Sequence, residues 1–130
     1  MSNPFRVQNS VKEGQATRVY SDKQEKAVAK LIDGKQTKNS GATLFQKSDV
    51  LTRLFTIECK TKTKNSDSIS IKKDWFDKQI KESIQMGKKY NAIVINFGPD
   101  APYNENHFII NETLFKKLVV YLEAENSLDD

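Results

Sequence analysis

The chain has 130 residues, 37% of them hydrophobic and 29% charged, which suits one globular domain, because two half-length domains would each be too small to bury a core. No run of about eighteen apolar residues exists, and the start, MSNPFRVQNS, lacks the cationic-then-apolar layout of a secretory signal, so neither a membrane span nor an exported precursor is expected. The single cysteine, Cys59, excludes an internal disulfide and a Cys-rich metal site. A reducing, intracellular setting is therefore expected: cytoplasm or nucleoid or, for a virus-encoded protein, the host cell.

The formal charge of +4 hides an asymmetry: residues 1–90 hold 19 Lys/Arg against 10 Asp/Glu (+9), whereas residues 91–130 hold 2 against 7 (−5). A concentrated positive block points to a polyanionic partner, because each Lys or Arg that neutralises a phosphate releases condensed counterions.

In chain order, residues 1–20 read as a basic, polar arm with Arg6, Lys12 and Arg18 and no apolar period, and the domain proper spans 21–130. A first helix is predicted from Ser21, where Ser21-x-x-Gln24 and Asp22-x-x-Glu25 fit a capping box and Ala27, Val28, Leu31 and Ile32 recur at helical spacing, with Gly34 as its stop. Residues 35–41 read as a loop. From Ala42 to Thr63 the pattern is β. Ser48-Asp49-Val50-Leu51 is one strand, and residues 55–61 alternate strictly, placing Phe55, Ile57 and Cys59 on one face and Thr56, Glu58 and Lys60 on the other. A reversal around Thr52-Arg53 pairs residues whose numbers sum to about 105, setting Asp49 opposite Thr56 with Glu58 diagonal to it on the same face.

Residues 64–73 are a Lys/Ser-rich loop, followed by a helix from Asp74 with an apolar stripe of Phe76, Ile80 and Ile84, ended by Gly87. Ala92–Phe97 is a strand buried on both faces, His107–Ile110 a further short strand, and Asn111 caps a last helix carrying Leu114, Phe115, Leu118, Val119 and Leu122. The expected order is αβββαββα, an α/β domain with a central mixed sheet flanked by helices.

Four residues carry the chemistry: Glu25 at the helix start, Asp49 on one strand, and Glu58 and Lys60 two apart on the next. Converging carboxylates repel, and a hard divalent cation with oxygen ligands is the usual reason to assemble them. Asp49 and Glu58 suffice for Mg²⁺, or Mn²⁺ in its place, with the Cys59 carbonyl as a third ligand and Glu25 acting directly or through water. Glu25 is also readable as the acid of a capping box or a favourable charge at the helix N-terminus. Lys60 beside the ion orients or activates water and offsets charge at a phosphoryl transition state, a combination that describes phosphodiester hydrolysis.

The strings Asn39-Ser40-Gly41-Ala42, Lys47-Ser48-Asp49-Val50 and Phe55-Thr56-Ile57-Glu58-Cys59-Lys60 resemble the PD-(D/E)XK nuclease superfamily and, within it, the archaeal-type Holliday junction resolvases. The resemblance runs from about Ser21 to Phe97 and is sharp in the central segment. It implies a restriction-endonuclease-like domain, a Mg²⁺-dependent homodimeric endonuclease on four-way DNA junctions, Glu25, Asp49, Glu58 and Lys60 as the active site, and Ser40 in a loop beside it. Two positions depart from that pattern: Ser48 precedes Asp49, and Lys26 stands beside the helix glutamate where an arginine is frequent. Lys38, Lys47, Lys62, Lys64, Lys72 and Lys73 flank the site and, with Arg18 in the arm, are candidates for phosphate contact. Gln79 lies where related nucleases often carry a glutamine, and Trp75 and Phe76 are either junction wedges or core. His107 reads as structural or exposed, and Cys59 as a small buried hydrophobe rather than a nucleophile. No small-molecule cofactor is expected. The rival readings are a nuclease of the same superfamily acting on duplex, single strands or RNA, and a non-cleaving nucleic-acid-binding module.

Overall fold

A computed structural model describes residues 19–37, 48–98 and 106–126. The arm with Arg18, the loop with Lys38 and Ser40, and Lys47 lie outside the described residues. The elements are helix α1 (residues 19–31), β1 (Lys35–Gln36), β2 (Val50–Leu51), β3 (Phe55–Thr61), α2 (Lys73–Gln85), β4 (Tyr90–Asn96), β5 (His107–Ile109) and α3 (Glu112–Asn126). They form an α/β structure around one five-stranded mixed sheet in the order β1-β2-β3-β4-β5. Among the described strands only β3 and β4 run parallel, and α2 is the crossover that a parallel pair requires. Among the described residues no helix is long and apolar enough to cross a membrane.

The apolar core lies on one face. Val50, Ile57, Ala92 and Val94 from three adjacent strands meet Val28 of α1, and Ala29, Ile32, Phe55, Cys59 and Ile110 close the rim. The alternation of β3 therefore falls as its sequence predicts, with Phe55, Ile57 and Cys59 toward this core.

The structure corrects several expectations. Val19 and Tyr20 are already helical, so Ser21 lies inside α1 and Glu25 beyond its first turn. The buried face of α1 is Gln24, Val28 and the half-buried Ile32, while Ala27 is exposed and Leu31 is 69% exposed. Lys35–Gln36, read as loop, is a strand, because it pairs antiparallel with β2, a partner far away in sequence. The β2–β3 pairing sums to 107, Val50 with Ile57 and Leu51 with Thr56. Its turn is centred on Arg53-Leu54, closed by the Thr52 N–H on the Phe55 carbonyl and the Phe55 N–H on Thr52 Oγ1. A shift of two keeps every side chain on its face.

Helix α2 differs most. Its buried residues are Gln79, Glu82 and Ser83, whereas Ile80 and Ile84 are 49% and 74% exposed. Ile80 and Ile84 lie about 100° around the helix from Gln79 and Ser83, so burying the Gln79, Glu82 and Ser83 face turns them toward solvent. The polar stripe meets a polar strand face: Thr56 Oγ1 and Ser83 Oγ are 2.5 Å apart, and Gln79 Nε2 donates to the carbonyls of Thr56 (3.0 Å) and Ala92 (2.7 Å). Gly87 ends the helix region in the left-handed conformation (φ 67°). Asn111 caps α3 as expected, its Oδ1 accepting from the Leu114 N–H at 2.8 Å.

Candidate metal centre and active site

Because β2 has only two residues, it covers Thr56 and Ile57 and stops short of the C-terminal half of β3. The Cys59 N–H is taken instead by a side chain, donating to Asp49 Oδ2 at 2.8 Å. In a strand the N–H and C=O of one residue point to the same side, so the Cys59 carbonyl faces the same edge as Asp49. The register does not continue to Asp49: its N–H meets Ile57, the residue already paired with Val50, so Asp49 and Val50 oppose one residue in a bulge and the expected diagonal placement against Glu58 is not kept. The Asp49 backbone is fixed in turn: its N–H donates to Ile57 O at 3.0 Å and its carbonyl accepts the Thr37 N–H at 3.0 Å. Ser48 beside it is fully buried, its carbonyl accepting from Thr37 Oγ1 and its hydroxyl donating to Glu82 Oε2 at 3.1 Å.

Glu25 arrives from α1. Its Oε2 accepts from Gln36 Nε2 at 2.8 Å, the same amide that donates to Asp22 Oδ1 at 2.8 Å, so β1 clamps the helix over the edge of β2. The neighbouring Gln24 donates from Nε2 to the Lys60 carbonyl at 3.0 Å, tying α1 to the end of β3. Lys60 Nζ stands 3.4 Å from Glu58 Oε1 and 4.8 Å from the centre of the Trp75 ring, so the ammonium is held by one acid and one aromatic face.

The electrostatics report the crowding. Burial, opposed by the Gln36 hydrogen bond and reinforced by Asp49, lifts Glu25 to about 7. Burial and then Asp49 lift Glu58 to about 7 against the pull of Lys60. Burial also raises Asp49, although the Cys59 N–H and Lys60 work the other way. The Cys59 thiol is pushed far above its ordinary range by burial and by Asp49, Glu25 and Glu58, so it is no thiolate nucleophile. Asp49 thus acts on both Glu25 and Glu58, and Lys60 on Asp49 and Glu58, linking α1, the lead-in to β2 and β3. Among the described residues, no group of three or more His, Cys, Asp or Glu side chains is gathered closely enough to hold a metal ion as it stands. An oxygen-only donor set of mutually repelling, half-buried carboxylates fits a hard divalent cation, and Glu25, Asp49 and Glu58 with the Cys59 carbonyl are the residues that would hold it.

Among the flanking lysines, Lys64, Lys72 and Lys73 are exposed and Lys62 is half-buried, and Lys73 pairs with Asp77 at 3.6 Å. Lys62 is fixed at the end of β4, its N–H donating to Asn96 O at 3.1 Å. Gln79 is buried beneath β3, where it braces two strands. Trp75 is half-buried against Lys60, and His107 is exposed.

Three residues beside the site escaped the sequence reading. Lys78 acts electrostatically on Asp49, Glu82 acts on Glu58 and holds Ser48, and Gln36 holds Glu25. A signal existed for the first two: Trp75, Lys78, Gln79 and Glu82 recur at three- and four-residue spacing, a stripe matching the polar face of β3. Compared with known proteins, the chain matches no family model, no curated protein and no solved structure.

Proposed function

We propose that this chain is a metal-dependent endonuclease of the PD-(D/E)XK kind, with a restriction-endonuclease-like domain, acting as a homodimer on four-way DNA junctions. The observation that carries the reading is the convergence of Glu25, Asp49, Glu58 and Lys60 at one sheet edge, from elements far apart in sequence. The +9 charge of residues 1–90 supports a polyanionic substrate.

Bound Mg²⁺ or Mn²⁺ supplies Lewis-acid stabilisation of phosphoryl charge and makes water more acidic there. Asp49 and Glu58, deprotonated, would hold the ion, and the Cys59 N–H fixes the Asp49 carboxylate in place. Glu25 completes the oxygen set from the helix side. Lys60, steadied by Glu58 and Trp75, presents an ammonium to the scissile phosphate and offsets the charge that builds during attack. Lys62, Lys64 and Lys72 provide phosphate contacts that position the strand without reading sequence.

Self-association is supported by α3. Phe115, Val120 and Tyr121 are 56%, 60% and 64% exposed, and Leu118, Val119 and Leu122 are also exposed. Pairing of two copies through α3 about a two-fold axis would cover part of this apolar surface. Phe115→Glu is expected to convert the dimer to a monomer in sedimentation.

Cleavage of four-way, forked and linear DNA with Mg²⁺ tests the function. The junction is expected to be cut fastest, and Glu58→Gln to lose about a hundredfold or more in rate while binding junction at least as well. Equal rates on all three substrates refute the junction preference, and a wild-type chain inert with Mg²⁺ and Mn²⁺ indicates a non-cleaving binding module.

A further inference from the structure

At the end of the sheet away from Lys60, cations from two parts of the chain converge on one aromatic ring. Tyr90 opens β4 opposite Phe55, the first residue of β3, and the two ring centres are 5.2 Å apart. From α3, Lys117 Nζ donates to the Tyr90 hydroxyl at 3.0 Å and lies 5.1 Å from the ring centre. Lys89 brings a second ammonium to 5.4 Å from the same centre. Lys88 reaches back to the β2–β3 turn, its Nζ donating to the Arg53 carbonyl at 3.4 Å. Arg53, Lys89 and Lys117 are exposed, and Lys88 and Tyr90 are half-buried.

No acid answers this charge among the described residues. The ion pairs there join Lys26 to Asp22, Lys60 to Glu58 and Lys73 to Asp77, and none includes Arg53, Lys88, Lys89 or Lys117. The helix neighbours of Lys117 at three and four residues are Thr113, Leu114, Val120 and Tyr121, so α3 offers it no carboxylate on the same face. The Tyr90 hydroxyl accepts from Lys117, and its own proton has no protein acceptor among the described residues. The two ammoniums hold that hydroxyl below its ordinary range, the Lys117 hydrogen bond being the main cause. Two like charges and a free hydroxyl proton around one ring make a set of donors that an anion with several oxygens satisfies. Lys88 and Arg53 continue the positive surface toward the next turn, which suits a ligand that repeats its charge, as a nucleic-acid backbone does.

We propose that Lys89, Lys117 and the Tyr90 hydroxyl, flanked by Lys88 and Arg53, form a second phosphate-binding site for a nucleic-acid backbone. This rests on reading the substrate as nucleic acid and adds to it an anchor that takes no part in cleavage. Lys60 sits five residues further along β3 than Phe55, on the order of 16 Å away, and strand alternation puts it on the opposite face. A phosphate held at Tyr90 is therefore not the one being cut.

Anisotropy of a labelled four-way DNA junction on the full chain, without divalent ions and over a series of salt concentrations, tests the anchor. Lys89→Ala/Lys117→Ala is expected to bind about tenfold more weakly near physiological salt and to lower the slope of log affinity against log salt by about two, one for each lost phosphate contact. Its Mn²⁺ affinity, measured by calorimetry, is expected to stay at the wild-type value. Unchanged DNA affinity and slope overturn the anchor and leave the proposed nuclease standing, whereas a wild type that binds no DNA even at low salt overturns both. Acetylation footprinting of the wild type needs no variant. Bound DNA is expected to protect Lys89 and Lys117 along with Lys62, Lys64 and Lys72, and protection confined to the last three refutes the anchor. Protection of Lys89 and Lys117 by phosphatidylserine vesicles but not by DNA assigns the patch to a membrane surface and equally refutes it.

Discussion

The two faces of the sheet are built on opposite physical terms. Toward α1 the strands present Val50, Ile57, Ala92 and Val94, and Val28 seals them without a polar atom among the five side chains. Toward α2, the buried Ile93 and Ile95 share their face with Thr56, Glu58 and Lys60, met by Gln79, Glu82 and Ser83. Apolar burial supplies most of the stabilisation on the first face, at roughly 25 cal/mol per Å². On the second, each hydrogen bond contributes only about 1 kcal/mol net but demands one geometry. Stability is thus concentrated on the first face and positional precision on the second, where the candidate site needs it.

This contrast can be broken at three places. Ile57→Ala, on the apolar face, is expected to cost about 2–5 kcal/mol, measured by urea unfolding, while the metal-ion affinity of the variant below its midpoint stays near wild type. Gln79→Leu, nearly isosteric but unable to donate to Thr56 and Ala92, is expected to cost about 1–3 kcal/mol in the same assay. A gain in stability there would mean that the α2 face works as an ordinary hydrophobic core. The smallest effect is with pH. Glu25 and Glu58 titrate near 7 when folded against a model value of 4.5, so between those limits the folded chain binds more protons than the unfolded one. Their contribution is present below about 4.5 and is lost as pH rises through about 7. Without divalent ions the melting temperature is expected to fall by on the order of 5 °C between pH 5 and pH 8, and on the proposed reading of the site added Mg²⁺ or Mn²⁺ is expected to oppose that fall. A melting temperature flat across this range would show that the two carboxyls are not crowded.

Strands whose pattern is local were legible in the sequence. The strict alternation of residues 55–61 yields both ends of β3, and the apolar run in β4 announces a strand enclosed on two sides. Lys35–Gln36 shows no such pattern, being two polar residues made into a strand by a partner fifteen positions away. The register of β2 on β3 depends on which pair of residues turns the corner, and Thr52, Arg53 and Leu54 contain no Gly or Asn to mark it. The side of Glu58 was nonetheless legible, because alternation along β3 fixes parity independently of register. Glu82 and Lys78 were passed over despite their three- and four-residue spacing with Trp75 and Gln79, since helical residues with polar side chains are ordinarily taken to face solvent.

The polar layer under β3 has a consequence for how the domain tolerates change. An oily interface lets a helix slide or roll by a fraction of a turn while keeping most of its contacts, whereas paired amides and hydroxyls act like teeth that mesh in a single notch. Gln79 grips two strands at once and Ser83 meets Thr56, so α2 cannot creep along its axis without breaking both engagements. Sequence drift elsewhere in the chain, including on the outer surface of this helix, can accumulate while the spacing of Trp75 and Glu82 from the strand beneath them stays locked.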